Sequence, residues 1–181
     1  AEAWQVRLDV VVDDQDQTAK ALQRGEVLAA VTSQRAAVQG CNSSALGALR
    51  YVATASPAFT QRHFARGVDA AALRLAPCIV FNRKDALQAR WLKRITRAAI
   101  TPPSHWLPSS QAFVDGSLAG LGWGMNPLPL VKPLLAAGRL VELVPGKPVD
   151  VPLYWQVSRL QAPLLTQLTQ AVHAASRKHL L

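Results

Sequence analysis

The stretch Ser109–Leu130, SSQAFVDGSLAGLGWGMNPLPL, decides the fold class, because a helix, a glycine-rich turn and an apolar strand follow one another in it. Ser109 or Ser110 can cap a helix whose apolar positions recur at helical spacing. Gly120 or Gly122 can then supply the left-handed residue that ends this helix. The pattern predicts a helix that returns the chain directly into a strand.

A second helix is predicted after that strand. Residues Trp123–Asn126 form the predicted strand, and Pro127 and Pro129 suit the first turn of a helix that Gly138 ends. A nucleotide-binding glycine motif has the opposite order, strand, turn and helix, so that a phosphate meets a helix N-terminus. The stretch is therefore an αβα unit and not a phosphate loop.

Length and composition allow one domain or two small lobes. The chain has 181 residues and half of them are hydrophobic, which suffices for a buried core. No window approaches about 20 uninterrupted apolar residues, so no membrane span is expected. The first residues, AEAWQVRLDV, show neither the basic nor the apolar region of a signal peptide. We expect a cytoplasmic protein.

Catalytic and metal-binding patterns are absent from the sequence. Cys41 and Cys78 have no metal-ligand spacing and make no disulfide framework, which fits a reducing compartment. The four histidines lie on separate predicted elements or six residues apart on one helix, which gives no metal-binding face. Ser117 lies in DGSLAG rather than in a GxSxG elbow. We therefore predict no metal, no cofactor and no enzymatic activity.

The formal net charge of +9 raises nucleic acid as a partner. The main basic cluster surrounds one predicted helix and consists of Arg83, Lys84, Arg90, Lys93, Arg94 and Arg97. No helix-turn-helix, zinc finger or aromatic RNA platform accompanies it. We interpret the cluster as a solvated or partner-facing helix in preference to a nucleic-acid groove.

The order of elements along the chain predicts two α/β lobes. A strand over Gln5–Val12, a helix over Asp16–Arg24 and a strand over Glu26–Val31 make a βαβ unit, which implies a parallel sheet. After two strand-like stretches, Val38–Asn42 and Leu46–Ala55, helices and strands alternate again. Open α/β sheets bind ligands beyond the carboxyl ends of their strands. The polar residues at such ends are Thr32, Ser33, Asn82–Asp85, Ser109–Gln111 and Asn126.

Six ordered segments of the chain together form a family pattern. The generic segment is AGLGWGMNP, residues 119–127. The more specific ones are RGEVLAAVTSQ (24–34), LGALRYVATASPAF (46–59), FNRKDALQ (81–88), PSSQAFV (108–114) and LYWQ (153–156). Together they resemble the effector-binding part of LysR-type transcriptional regulators. Within that family they are similar to the ArgP, or IciA, and LysG branch, which senses lysine and arginine and controls export of basic amino acids.

The resemblance implies a periplasmic-binding-protein-like α/β fold of two Rossmann-like lobes joined by two crossing strands. It implies lobe I over 1–52 and 155–181 and lobe II over 53–154, with the DNA-binding winged helix-turn-helix and the first strand and helix of lobe I outside this chain. Operator DNA would then be bound only through the absent N-terminal domain. It also implies self-association as a homodimer or tetramer, with helices Asp16–Arg24 and Asp85–Arg97 as dimer surfaces.

A basic amino acid between the lobes needs donors for its carboxylate and a screened carboxylate for its cation. Ser109 and Ser110 begin a predicted helix, Thr32 and Ser33 end a strand, and Asp85 is the acid placed best for the cation. The candidate effector-binding residues are Thr32, Ser33, Asn82, Asp85, Ser109, Ser110 and Asn126.

Structural alternatives stay open for these residues. Asp85 and the two serines can serve only as helix caps, and Thr32 and Ser33 can serve only to turn the chain. Asp13 and Asp14 form a competing acidic site. At the level of function, a solute-binding protein of an amino-acid transport system is the alternative to a regulator.

Overall fold

The structure is a computed structural model of the chain, and it describes residues 7–12 and 15–181. The chain forms two compact units, Ala1–Gly47 with Pro152–Leu180 and Ala48–Val151 with Leu181. We call them unit 1 and unit 2. Both combine helices with strands, as the sequence predicts for an α/β protein.

Helices and strands alternate along most of the described chain. The helices are α1 (Gln15–Arg24), α2 (Pro57–Phe64), α3 (Ala70–Leu75), α4 (Leu87–Ile95), α5 (Ser110–Leu118), α6 (Leu128–Ala136) and α7 (Thr166–His179). The strands are β1 (Ala29–Thr32), β2 (Cys41–Ala55), β3 (Cys78–Val80), β4 (Ser104–Trp106), β5 (Trp123–Pro127), β6 (Val141–Glu142) and β7 (Val149–Ser158).

Two predicted element boundaries are wrong. The two strand-like stretches before Ala55 form the single strand β2, because Gly47 continues the strand at a φ of 124°, where glycine has no steric penalty. The helix expected to start at Asp85 begins at Leu87, since the side chain of Asp85 binds the backbone of the preceding turn.

The predicted first strand is also wrong within the described residues. Residues 7–12 have no regular secondary structure, and Val10 and Val12 are 77% and 82% exposed. A β-strand is stabilised by hydrogen bonds to a neighbouring strand, and these residues have none. Gln5, Val6, Asp13 and Asp14 lie outside the described residues, and so does the side chain of Asp16, the first residue of the predicted helix.

Strand β1 pairs with β7, and the pairing is antiparallel. Val31 lies opposite Trp155, and Thr32 lies opposite Tyr154. The parallel βαβ unit predicted for the start of the chain is therefore not formed by the described residues.

The parallel strand pairs of the structure lie in unit 2. Strand β3 pairs in parallel with both β4 and β5, and β5 pairs antiparallel with β2. The neighbouring residues Val52 and Ala53 of β2 point to opposite faces of the sheet, and each belongs to a separate buried apolar cluster. Helix α4 packs in the cluster of Ala53 and helix α6 in the cluster of Val52. The sheet of unit 2 is thus covered on both faces.

The glycines of the αβα stretch have packing roles. Gly120 has a φ of 74° and ends α5, as predicted. A Cβ on Gly122 would lie 2.9 Å from the carbonyl oxygen of Pro77, and one on Gly124 would lie 3.2 Å from the ring of Phe113. These two glycines let the backbone of β5 approach β3 and α5.

Candidate functional site

The candidate residues of unit 2 follow the carboxyl ends of three neighbouring strands. Val80 lies opposite Trp106 in the parallel pair β3–β4, and the N–H of Leu107 donates to the carbonyl of Val80 at 2.9 Å. Because β3, β4 and β5 are parallel, their carboxyl ends lie at one edge of the sheet. The chain leaves this edge through the turn 82–85 and through Ser109, and Asn126 is the penultimate residue of β5.

The turn 82–85 is built by its own side chains. The Oδ1 atom of Asn82 accepts hydrogen bonds from the N–H groups of Lys84, at 2.8 Å, and Asp85, at 3.1 Å. The Asp85 carboxylate accepts from the N–H of Phe81 through Oδ2 and from the N–H of Leu87 through Oδ1, both at 3.0 Å. Asp85 therefore connects the end of β3 to the start of α4 but is not its N-cap, which is Ala86 without a side-chain cap hydrogen bond.

Asp85 also acts on groups outside its turn. Burial raises the pKa of the Tyr51 hydroxyl, and the negative charge of Asp85 raises it further. The pKa of the Cys78 thiol is raised mainly by burial, with a smaller contribution from Asp85. The charge of Asp85 therefore affects the pKa values of side chains on β2 and β3. Tyr51 is a half-buried hydroxyl near this charge that the sequence reasoning missed, because its strand position carries no motif.

Ser109 and Ser110 occupy different positions at the start of α5, because Ser109 precedes the helix and Ser110 is its first residue. The Oγ atom of Ser109 accepts from the N–H of Ala112 at 3.3 Å, so Ser109 is the N-cap of α5. Both serines are exposed to solvent.

Asn126 lies in the interior of unit 2 with no exposed surface. Its Nδ2 donates to the Oγ1 of Thr54 at 2.9 Å and to the Oγ of Ser117 at 3.2 Å. Its Oδ1 is buried and has no hydrogen-bond partner among the described residues. The side chain joins β2, β5 and α5, and its predicted contact with an effector stays a prediction.

Thr32 and Ser33 belong to unit 1, at the end of β1. Thr32 is buried and its Oγ1 accepts from the N–H of Gln34 at 3.2 Å, so it turns the chain as the alternative requires. Ser33 is half-buried. Their contact with an effector also stays a prediction.

Gln156 holds the loop that follows Thr32 and Ser33. Its Oε1 accepts from the N–H of Val38 at 2.9 Å, and its Nε2 donates to the carbonyls of Gln34 and Ala36 at 3.1 and 2.9 Å. The sequence reasoning quoted Gln156 within LYWQ and assigned it no role. A polar residue inside a buried strand was the available signal, because a buried amide requires partners.

A family comparison identifies the class of protein. The model of the LysR substrate binding domain matches residues 1–177. The chain belongs to the LysR substrate-binding domain family. This confirms the predicted family and the periplasmic-binding-protein-like α/β fold.

Curated relatives place the chain in one branch of that family. It is 43% identical over 171 residues to the HTH-type transcriptional regulator LysG of Mycobacterium tuberculosis, covering 94% of this chain and 56% of LysG. It is 46% identical over 166 residues to the HTH-type transcriptional regulator ArgP of Pseudomonas aeruginosa, covering 91% of this chain and 55% of ArgP. The chain thus spans about half the length of these relatives, which are transcriptional regulators and not enzymes.

Solved structures agree with this placement. The C-terminal domains of a LysR family protein from Agrobacterium tumefaciens match with a TM-score of 0.93 and 54% identity, over 96% of this chain and 84% of that one. Full-length LysG of Corynebacterium glutamicum with bound effector Arg matches with a TM-score of 0.82 and 32% identity, over 94% of this chain and 57% of that one.

The relatives are named transcriptional regulators, which agrees with the predicted family and favours a regulator over the solute-binding alternative. The family is a non-enzymatic one, as predicted. Among the described residues, no helix is long and apolar enough to cross a bilayer.

Proposed function

We propose that the chain is the effector-sensing domain of a LysR-type regulator that binds a basic amino acid, lysine or arginine. The observation that carries the proposal is the match to LysG with bound effector Arg over 94% of this chain. The proposal includes modulation of an amino-acid export gene. It also includes the effector contacts predicted from the sequence, which are Thr32, Ser33, Asn82, Asp85, Ser109, Ser110 and Asn126.

The chemistry of the turn 82–85 supports a cationic effector. An ionised carboxylate offers about four lone-pair sites. The two backbone N–H groups bound to Asp85 occupy two of them, which leaves acceptor capacity for an ammonium or guanidinium group. Charge-assisted hydrogen bonds of this kind are roughly twice as strong as neutral ones. The exposed start of α5 at Ser109 and Ser110 offers hydroxyl groups for the effector's carboxylate.

The regulatory part of the proposal concerns the whole protein. A cytoplasmic regulator with this domain would bind operator DNA through a winged helix-turn-helix and would act as a homodimer or tetramer. An effector biases such a protein only if it binds two arrangements of it with different affinity.

Calorimetric titration with lysine, arginine and citrulline tests the proposal. Citrulline has nearly the shape of arginine without its charge, so it separates recognition of the cation from recognition of the amino-acid group. We expect binding of at least one of lysine and arginine and much weaker binding of citrulline. An absence of heat with both basic amino acids would contradict the effector claim.

The substitution Asp85→Asn tests the role of the carboxylate. We expect it to weaken binding of the basic amino acid by at least about tenfold, since one lost charge-assisted hydrogen bond corresponds to about 1.5–3 kcal/mol. Asp115→Asn is the matched control, because Asp115 is exposed on α5 and its side chain accepts a hydrogen bond from the exposed Gln111. If circular dichroism shows that both variants are folded and their affinities are equal, Asp85 serves only to hold the turn 82–85.

A further inference from the structure

Unit 2 contains a cavity at the end of its sheet that lies away from the candidate effector residues. The cavity has a volume of about 440 Å³ and lies where β2 ends at Ala55 and where the chain enters β5 after Gly120. Because β2 and β5 are antiparallel, with Thr54 opposite Gly124, the end of β2 lies beside the start of β5. The candidate residue Asn126 lies at the other end of β5. The cavity is therefore separate from the candidate residues of unit 2.

Arg62 reaches the cavity from helix α2. The Oγ atom of Ser56 caps this helix by accepting from the N–H of Phe59 at 3.3 Å, and the side chains of Phe59 and Phe64 are buried in the core of unit 2. Ala58 lies four residues before Arg62, on the same side of the helix, and also lines the cavity. The backbone that carries Arg62 is thus fixed by the cap and by packing.

Arg139 reaches the cavity from the turn that ends α6. Gly138 has a φ of 66° and donates its N–H to the carbonyl of Leu135 at 3.1 Å, while Arg139 donates its N–H to the carbonyl of Leu134 at 2.9 Å. These two hydrogen bonds form a Schellman motif, which ends a helix in a defined backbone conformation. The backbone at Arg139 is therefore held in place as firmly as that at Arg62.

The positive charges in the cavity have no acidic partner. Its described lining residues include no Asp or Glu, and helices α2 and α6 contain none. Within the part of the chain that the structure describes, neither Arg62 nor Arg139 takes part in an ion pair. Two cations that line one cavity without a carboxylate repel each other, and a bound anion replaces this repulsion by attraction.

Two guanidinium groups favour a phosphoryl group as that anion. The planar guanidinium donates two parallel hydrogen bonds to a phosphate or a carboxylate. A phosphate monoester carries a charge of about −1.5 to −2 at pH 7 and has three acceptor oxygens on one atom. It can therefore bind both arginines at once, whereas a single carboxylate would neutralise only one of them.

The size of the cavity indicates that the phosphoryl group belongs to an organic molecule. Sites for small organic ligands have volumes of roughly 300–1,000 Å³, and the cavity of about 440 Å³ lies within this range. Pro57 and Leu118 line it beside the two arginines and offer apolar contacts to the organic part of a ligand. A ligand of about the size of a sugar phosphate fits these properties.

We propose that this cavity binds a small organic phosphate monoester, with Arg62 and Arg139 on its phosphoryl group and Pro57 and Leu118 against its organic part. The site is additional to the proposed amino-acid site and does not depend on it.

Calorimetric titration of the chain with ribose 5-phosphate tests the proposal, with ribose, inorganic phosphate and succinate as comparison ligands. We expect ribose 5-phosphate to bind more tightly than inorganic phosphate and succinate, and ribose not to bind. The affinity should fall with added salt, because the arginines are exposed at the rim.

The test variant combines Arg62→Gln and Arg139→Gln, and we expect it to bind ribose 5-phosphate at least about tenfold more weakly, since charge-assisted hydrogen bonds are lost. The matched control combines Arg66→Gln and Lys132→Gln, which lowers the net charge equally at exposed positions of unit 2 outside the cavity. It should keep the affinity of the unmodified chain. Circular dichroism checks that both variants are folded.

NMR signals of two backbone amides provide a local measurement. Gly120 and Gly138 line the cavity, so their N–H signals should shift with ribose 5-phosphate in the unmodified chain and in the control, but not in the test variant. Titration with arginine should give the same result for the test variant as for the unmodified chain, which separates this site from the amino-acid site.

Three outcomes would overturn the proposal. The first is an absence of ribose 5-phosphate binding, or equal losses of affinity in the two variants. The second is equal affinity for ribose 5-phosphate and inorganic phosphate, which would reduce the cavity to a site for a simple anion. The third is equal or tighter binding of succinate, which would assign the two arginines to a dicarboxylate. A failed titration with lysine and arginine would contradict only the proposed function, because the ribose 5-phosphate titration contains no amino acid.

Discussion

At the residue scale, polar side chains in the interior of each unit hold the segments that carry the candidate site. Asn126 joins two strands and a helix in unit 2, and Gln156 holds the loop 34–38 in unit 1. The type of each residue is visible in the sequence. The partners of Gln156 are not, because they lie about 120 positions away.

The substitution Gln156→Leu should loosen the loop after Thr32. It removes three hydrogen bonds to partly buried backbone groups, each worth about 0.5–1.5 kcal/mol. We expect faster hydrogen exchange at the N–H of Val38 and a lower free energy of unfolding. Gln170→Leu is the control, because Gln170 is exposed on α7. Unchanged exchange at Val38 would contradict the role assigned to Gln156.

At the element scale, side-chain caps mark the starts of three helices in unit 2. Ser56, Asp69 and Ser109 each accept a backbone N–H at the start of α2, α3 and α5. Such caps act within three residues, so a sequence pattern is sufficient to find them.

A comparison of Ser109→Ala with Ser110→Ala measures how much the cap at the start of α5 contributes to the free energy of unfolding. Loss of the Ser109 cap should lower the free energy of unfolding by about 1 kcal/mol. Ser110 is exposed, so its replacement should change the free energy by less than about 0.5 kcal/mol. Urea unfolding measures both values. If Ser110→Ala proved the more costly change, the cap assignment would be wrong.

At the scale of the whole molecule, the stability of unit 2 should depend on pH through Arg50 and Asp150. The hydrogen bond from Arg50 lowers the pKa of Asp150, and the charges of Arg50 and Arg94 act in the same direction against burial. A lowered carboxylate pKa adds stability above its usual value of 3.8, and this stability is lost as pH falls through the lowered pKa.

We therefore expect Arg50→Gln to destabilise the chain near neutral pH and to have a shrinking effect below about pH 3.8. Glu142→Gln is a control of opposite sign, because burial raises the pKa of Glu142 and its charged form costs stability at neutral pH. Thermal unfolding across the acid range measures both. The expected effect of Arg50→Gln also declines with added salt, since the pair is partly exposed. An effect of Arg50→Gln that is independent of pH would contradict this account.

The sequence by itself determined the αβα order of Ser109–Leu130, the cap at Ser109 and the glycine that ends α5, because these depend on residues close together in the chain. It also determined the family, through six segments that each can be recognised without knowing the fold. Only the tertiary structure decided that the apolar run ending at Val12 is unpaired and exposed, that Gln156 holds the loop after Thr32, and that Lys147 lies beside α4. Strand pairing and long-range hydrogen bonds need a partner whose position no local pattern specifies, and burial follows from that partner.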